Sequence, residues 1–341
     1  MKNTNKKHLS AKLMAGVLAV SLTLGTGGFP AWAAEDTAET EELQVLRIGV
    51  MTSGLDHWIT EIGIATGIYE AHGLDVEYTE FAAGVNTVDA IVTGQVDIGF
   101  MADYAVVNRI GNTQDNTDLR IIAHFARAAM NELYVNTDVI TELSDLAGAG
   151  FVSLPGTVWD YWTAKTYEYA GIATEDQNII NVDSQQTAVG ALTTGQGDAF
   201  WASGTSAEKL EEAGLESILS LDALGIWTDQ YFITYEGYLE EHADIVQAFY
   251  EALKEIEDWM TDNQEEAAQI LEENISYPSE QFFQNFPLYE LSVSFKSDTL
   301  EHLNDIKEWA LESGLFEKDY DFDDFVDTSI LQEVYPDEVD S

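Results

Sequence analysis

One short phrase occurs twice, about a hundred residues apart. Thr93-Gly94-Gln95-Val96-Asp97 and Thr194-Gly195-Gln196-Gly197-Asp198 each follow an apolar run of helical spacing and lead into a short apolar stretch. The glycine suits a helix C-cap, because without a Cβ it takes a positive φ at little cost. The stretch after it reads as a buried parallel strand. Upstream, Gly67-Ile68-Tyr69-Glu70-Ala71-His72-Gly73 and Tyr167-Glu168-Tyr169-Ala170-Gly171 each end a helix before a strand. Two copies of one helix–glycine–strand unit imply two similar α/β halves. The gap between such halves is where small ligands bind.

The length of 341 residues suits two domains, and 45% apolar residues suffice for two cores. With no cysteine, a disulfide, a thiolate metal site and a cysteine nucleophile are excluded. Residues 1–33 read as a secretory signal peptide: a basic start (Lys2, Lys6, Lys7, Lys12), an apolar run from Leu13 to Leu24, and Ala31-Trp32-Ala33 as the cleavage site. The run falls short of the roughly 20 residues that span a bilayer. A periplasmic or extracellular protein without a lipid anchor is expected. Without its four signal lysines the chain carries 10 basic against 62 acidic residues, a formal charge of −52. Such a charge argues against nucleic acid and anionic membranes as partners.

After a leader over 34–44, strands are expected at Leu46–Val50, Leu74–Phe81, Val96–Phe100 and Leu119–Phe125, with helices between them. The second half repeats this, with strands at Phe151–Leu154, Ile179–Val182, Ala199–Ala202 and Ser217–Leu221. Trp227–Thr234 reads as a return strand. Helices then run over Glu240–Met260, Gln264–Glu273 and Thr299–Gly314, and the tail after Lys318 is acidic and weakly patterned. The domain reading is a first lobe over 45–130 plus 232–341 and a second over 131–231.

Several of these residues resemble a known family. The exported start, Gly67-Ile68-Tyr69 with Gly73-Leu74-Asp75-Val76, Gly84 before Thr93-Gly94-Gln95, Leu154-Pro155-Gly156-Thr157 and Gly195-Gln196 before Asp198-Ala199 are similar to the nitrate, taurine and alkanesulfonate type of periplasmic substrate-binding protein. The thiamine-pyrimidine-precursor binders share that fold group. The resemblance covers about residues 45–275. It implies a type II periplasmic-binding-protein-like α/β fold, with two lobes joined by a two-strand hinge crossing near Arg127–Asn131 and Asp229–Phe232. It also implies a monomer that delivers a small solute to the permease and ATPase subunits of an ABC importer.

Ligands of open α/β sheets sit beyond the carboxyl ends of strands, where loops open helices. Four loops qualify: Ser53-Gly54, Gly84 to Asn86 and Thr87, Asp103-Tyr104, and Gly156-Thr157. Glycines let backbone N–H groups approach a ligand, and helix N-termini favour anions. The same loops carry acids and aromatics: Asp56 and Trp58, Trp159 and Asp160, then Trp201, Trp227 and Asp229. Aromatic faces stack on flat rings or attract organic cations. The donors suit a sulfonate, whereas the acids suit a cation or neutral ring. A zwitterion or nitrogenous ring reconciles the two, so the ligand is read as a small organic nitrogen or sulfur compound.

The histidines have no metal-ligand spacing, and no phosphate-binding or nucleophile-elbow motif occurs outside the signal segment. No catalytic residue, metal or cofactor is therefore expected. The alternatives are an enzyme like the pyrimidine synthase of thiamine biosynthesis, whose cysteine-rich motif this chain lacks, and an exported ligand sensor that transports nothing.

Overall fold

The computed structural model describes residues 42–52 and 54–340. The expected signal segment, most of the leader and Ser53 lie outside them. The chain opens with β1 (Gln44–Met51), α1 (Leu55–Thr66), the single turn α2 (Ile68–Ala71), β2 (Leu74–Phe81), α3 (Gly84–Val92), β3 (Gly99–Ala102), α4 (Asp103–Thr113) and β4 (Leu119–Ala128). There follow β5 (Glu132–Val135), β6 (Gly150–Ser153), α5 (Val158–Tyr169), β7 (Asn178–Asn181), α6 (Gln185–Thr193), β8 (Ala199–Ala202), α7 (Gly204–Glu212) and β9 (Glu216–Ser220). The rest is β10 (Thr228–Tyr235), α8 (Glu236–Glu241), α9 (Ala243–Asp262), α10 (Gln264–Ile275), α11 (Ser279–Asn285), β11 (Tyr289–Ser294), α12 (Ser297–Glu312) and α13 (Ser329–Val334).

The strands form two sheets built to one plan. In the first, β2 and β1 run parallel, an Ile48–Ile98 bridge leads to β3, and the order continues β10, β4, β11. In the second the order is β7, β6, β8, β5, β9. β10 lies antiparallel between β3 and β4, and β5 lies antiparallel between β8 and β9. Each sheet thus receives one strand handed over from the other half, and the chain crosses at 129–131 and again at 221–227. The second crossing comes earlier than Asp229–Phe232, because β10 already pairs from Thr228 opposite Ala128.

The repeated phrase does the same work in both sheets. Gly94 and Gly195 have φ of 69° and 70°, the left-handed conformation that a side chain would strain. Gln95 N–H then reaches back to the Ala90 carbonyl and Gln196 N–H to that of Ala191, each at 2.8 Å. These bonds satisfy carbonyls left over at the helix end. The aspartate closes the unit. Asp97 N–H donates to the Arg47 carbonyl at 2.7 Å, and its Oδ2 accepts from Arg47 N–H at 2.9 Å. Asp198 exchanges the same two bonds with Gly150, both 2.7 Å. Each aspartate fixes its incoming strand against the neighbouring one.

Two parts were not legible in advance. β11 adds an edge strand beside β4. The acidic tail is a packed strap, with Phe322, Phe325 and Leu331 buried and bridges from Val326 to Ile121 and from Val339 to Phe295. As expected, α9 buries Ile245, Phe249, Leu253 and Ile256. Among the described residues no helix is long and apolar enough to cross a membrane.

Asp97 is 6% exposed and also binds the Arg47 guanidinium, so Asp97→Ala strands a backbone donor and an arginine together. Urea melts should give a loss of about 2–3 kcal/mol. Asp198→Ala, at a more open position with no arginine, should cost less. A reversed order would refute the clamp.

Candidate functional site

The carboxyl ends of strands in both sheets and the crossings carry three side-chain clusters. The first forms where β1 turns into α1. Gly54 precedes the helix, and a Cβ there would lie 2.0 Å from Asp56 Oδ1. The carboxylate folds back over the glycine, and its Oδ2 accepts from Met51 N–H at 2.6 Å. Asp56 is fully buried and no cation pairs with it, so burial pushes its carboxyl up to about 7 despite backbone donors from Met51 and His57. Trp58 is also buried, with its ring 4.6 Å from Tyr277, 5.6 Å from Phe282 and 6.0 Å from Tyr289. The Tyr289 hydroxyl, pushed up to about 12 by burial, lies close to Tyr277, Asp56 and Gln230. Three buried polar atoms here lack partners: Asp56 Oδ1, Trp58 Nε1 and Gln230 Oε1.

The second cluster is an ionic hub at the crossing. Asp229 is wholly buried and accepts from His124 Nε2 (3.1 Å), Arg127 Nε (2.8 Å) and Trp227 Nε1 (3.0 Å). Arg127 also lies 4.0 Å over the Trp227 ring and bonds Asp298 at 2.9 Å. Asp103 Oδ2 accepts from Asp229 N–H and from His302 Nε2, each at 2.9 Å. Burial alone would push the Asp229 carboxyl up, but His124 and Arg127 outweigh it and hold it at about 2. Burial likewise pushes the His302 imidazole down, and the bond to Asp103 overrides this and raises it.

The third cluster lies where β6 turns into α5. Gly156 has φ 74° and gives its N–H to Asp160 Oδ2 at 2.7 Å, while Ser153 Oγ donates to Asp160 Oδ1 at 2.8 Å. Thr157 caps α5 through Trp159 N–H and donates to the Leu154 carbonyl. Trp159 is half-buried, with its indole N–H on the Trp201 carbonyl at 2.9 Å and its ring edge-on to Trp162. Tyr104, from the first lobe, turns a buried, unpartnered hydroxyl into this region near Asp160.

The structure sorts the expected binding residues into different roles. Asp56 and Trp58 share the first cluster. Asp103, Trp227 and Asp229 share the hub. Gly156, Thr157, Trp159 and Asp160 form one loop, with Tyr104 beside it. Ser53 is outside the described residues. Asn86 is exposed on the first turn of α3. Thr87 is fully buried, and its hydroxyl bonds both the N–H and the carbonyl of Phe100, so it ties α3 to β3. Trp201 is wholly buried with its indole N–H on Thr166 Oγ1, which makes it core. Asp103 is the first residue of α4, whose cap position Ala102 holds.

Gln230, Tyr289, His124, His302 and Trp309 were not singled out from the sequence. Alternation in Tyr289-Glu290-Leu291-Ser292-Val293 was a usable signal for Tyr289. His124, His302 and Trp309 gain meaning only from partners more than a hundred residues away, and Gln230 from Tyr289 on another strand. Among the described residues no group of three or more His, Asp or Glu is placed to hold a metal.

Comparison with known proteins adds three findings. The sequence profile described as NMT1/THI5 like matches residues 56–267. A Brucella abortus (strain 2308) protein described as a candidate binding protein is 25% identical over 232 residues, 66% of this chain and 70% of its own. Among solved structures, the periplasmic aliphatic sulphonate binding protein SsuA from Escherichia coli superposes with a TM-score of 0.68 at 16% identity, covering 82% of this chain and 91% of that one. The desulfurization enzyme DSZB gives 0.65 at 13%, covering 86% and 99%. The fold is therefore that of the periplasmic binding proteins.

Two pH effects follow from the hub. Asp229 is depressed, so its contribution of about 2 kcal/mol is present above about pH 4 and is lost as pH falls towards 2. His302 is raised, so its contribution is full below about pH 6.5 and is lost as pH rises through its higher folded value. Melting temperatures of wild type and His302→Gln should converge at alkaline pH and separate on acidification to about pH 6. Parallel curves would refute the pairing.

Proposed function

The chain belongs to the NMT1/THI5-like family, and from that premise we propose that it is the extracytoplasmic solute-binding subunit of an ABC importer. It acts as a monomer, performs no chemistry, and takes its solute in the cleft between the lobes. The fold supports this reading, as do relatives described as binding proteins. The family also shares its fold with an enzyme, DSZB. This chain has no cysteine to serve as a nucleophile, and its best-placed titratable groups are occupied within the protein, Asp103 by the Asp229 N–H and His302 and Asp229 by His124 and Arg127.

The observation that carries the ligand reading is the set of unpartnered atoms around Tyr289. Asp56 Oδ1 and Gln230 Oε1 are buried acceptors, and Trp58 Nε1 is a buried donor. Buried polar groups are costly unless satisfied, so a solute that presents N–H donors beside an acceptor fits them. The arginines near the cleft are already ion-paired: Arg127 with Asp229 and Asp298, and Arg109 through one amino group with Asp89, its buried Nε having no partner. Each guanidinium is thus already neutralised by a carboxylate, which disfavours a bare sulfonate there. A zwitterion or nitrogenous ring is favoured, its cationic or N–H end at Asp56. Any anionic end would lie near the exposed Asn86 at the start of α3. Closure follows if the solute gains contacts from the second lobe, since a ligand shifts an equilibrium only by its differential affinity.

The test is a thermal-shift screen of wild type and Asp56→Asn with betaine, cytosine, benzamidine, taurine and methanesulfonate. N–H-bearing or cationic compounds should stabilise wild type, and Asp56→Asn should bind them at least about tenfold more weakly, a loss of about 1.4 kcal/mol. Without ligand the order inverts. A carboxyl raised to about 7 destabilises the fold as pH rises from about 4 to 7, so Asp56→Asn should melt higher than wild type at pH 8. Stabilisation by methanesulfonate alone would overturn the ligand class and keep the binding role. Turnover of any compound would overturn both.

A further inference from the structure

α12 lies beyond the family-matched region, which ends at residue 267, yet it touches β4, the second crossing, α4 and α5. Its first turn carries Asp298, bonded to Arg127 at the end of β4. One turn on, His302 bonds Asp103 and packs its ring 5.0 Å from Trp227, at the end of the second crossing. Two turns further, Trp309 meets both lobes. Its ring is 6.2 Å from that of Tyr104 on α4, in the first lobe, and 5.5 Å edge-on to that of Tyr161 on α5, in the second. Tyr104 and Tyr161 both lie in the opening turn of their helices, at the carboxyl ends of β3 and β6 where the cleft loops are. Tyr161 is 1% exposed, Trp309 is half-buried, and Lys165 Nζ lies 5.8 Å from the centroid of the Tyr161 ring.

We propose that Trp309 is a closure-setting residue: an aromatic pin, mounted on a helix fixed to the first lobe and the crossing, that holds the second lobe through Tyr161. The reasoning is mechanical. α12 is anchored by two ionic bonds on the first-lobe side, so it moves with that lobe. Its contact with Tyr161 is made across the lobes and must break or slide when they part. Edge-on aromatic pairs add stabilisation beyond their buried area, so the pair favours the closed arrangement before any solute arrives. A solute then needs less differential affinity to complete closure, and its apparent affinity depends on a side chain that does not touch it. This inference does not depend on which solute binds, or on whether the protein serves a transporter.

The native chain has no cysteine, so labels can be placed without background. Val85→Cys on α3 and Thr205→Cys on α7 are exposed positions on opposite lobes. Nitroxide pairs at these sites report the interlobe distance in unliganded protein by pulsed electron resonance. The parent should show one dominant short distance. Trp309→Ala should add a longer-distance population, shifting the open-to-closed ratio by about tenfold, and Trp309→Phe should restore most of the short one. Tyr161→Leu tests the same contact from the second lobe and should reproduce the shift. It also decides the matter if Trp309→Ala does not fold. Unchanged distance distributions in the folded variants would overturn the proposal, as would a longer distance that Trp309→Phe fails to reverse.

Discussion

Two carboxylates, Asp103 and Asp229, are removed from water within one hydrogen-bonded unit, and the geometry around the crossing depends on how their charge is met. An isolated buried carboxylate would cost many kcal/mol or take up a proton. Here Asp229 receives a bidentate arginine, an imidazole and an indole N–H, while Asp103 receives a raised imidazole and a backbone N–H. Those donors come from β4, β10, α12 and the end of the crossing. The hub therefore fixes β10 beside β4 with Asp229 opposite Arg127, and it fixes the start of α4 relative to both. Breaking one member leaves an uncompensated charge for the others, which makes the unit stiff and its parts interdependent.

The scaffold was legible because its signals are local. Thr-Gly-Gln-x-Asp carries its own C-cap, strand and clamp within five residues, and its second copy announces the second lobe. The helices and parallel strands around it follow from periodicity of two or 3.6. The site was less legible because its meaning is non-local. Arg127 and Asp229 are 102 residues apart, and Asp103 and His302 are 199 apart. Nothing in either neighbourhood says that they meet. Trp201 and Thr87 look like cleft residues because they sit at strand ends and helix starts. A side chain there can point outward to solvent or inward to its own sheet, and one-dimensional spacing does not choose between the two. The tail misled for a related reason: its apolar residues, Phe322, Phe325 and Leu331, are too sparse for a period yet are enough to pin an irregular strap.

The acidity of the chain invites a cationic ligand by simple attraction, but the structure weakens that argument. Screening limits distant charges to about 8–10 Å at ordinary salt, so the acidic coat acts mainly on the solvent around it. Of the four acids expected to face a ligand, Asp103, Asp160 and Asp229 are each saturated by donors of the protein itself. Only Asp56 is buried without a cation or a full set of donors. The proposed choice of solute therefore rests on Asp56 and its aromatic neighbours, not on the sum of charges. Such a carboxyl weakens the empty protein, and that cost is the usual mark of a group kept for a partner rather than for the fold.

The residues that complete this arrangement are distributed unevenly along the chain. The profile match over 56–267 takes in both lobes and both crossings, whereas Tyr277, Tyr289, Asp298, His302 and Trp309 all lie after it. Tyr277 and Tyr289 pack on Trp58, Asp298 and His302 close the ionic hub, and Trp309 meets Tyr161. The shared portion supplies the scaffold and the moving parts. The following portion supplies the aromatic neighbours of Trp58 and the α12 contacts with the crossing and with α5. A chain could keep the first and exchange the second, retaining the two-lobed fold while altering what it holds and how readily it closes.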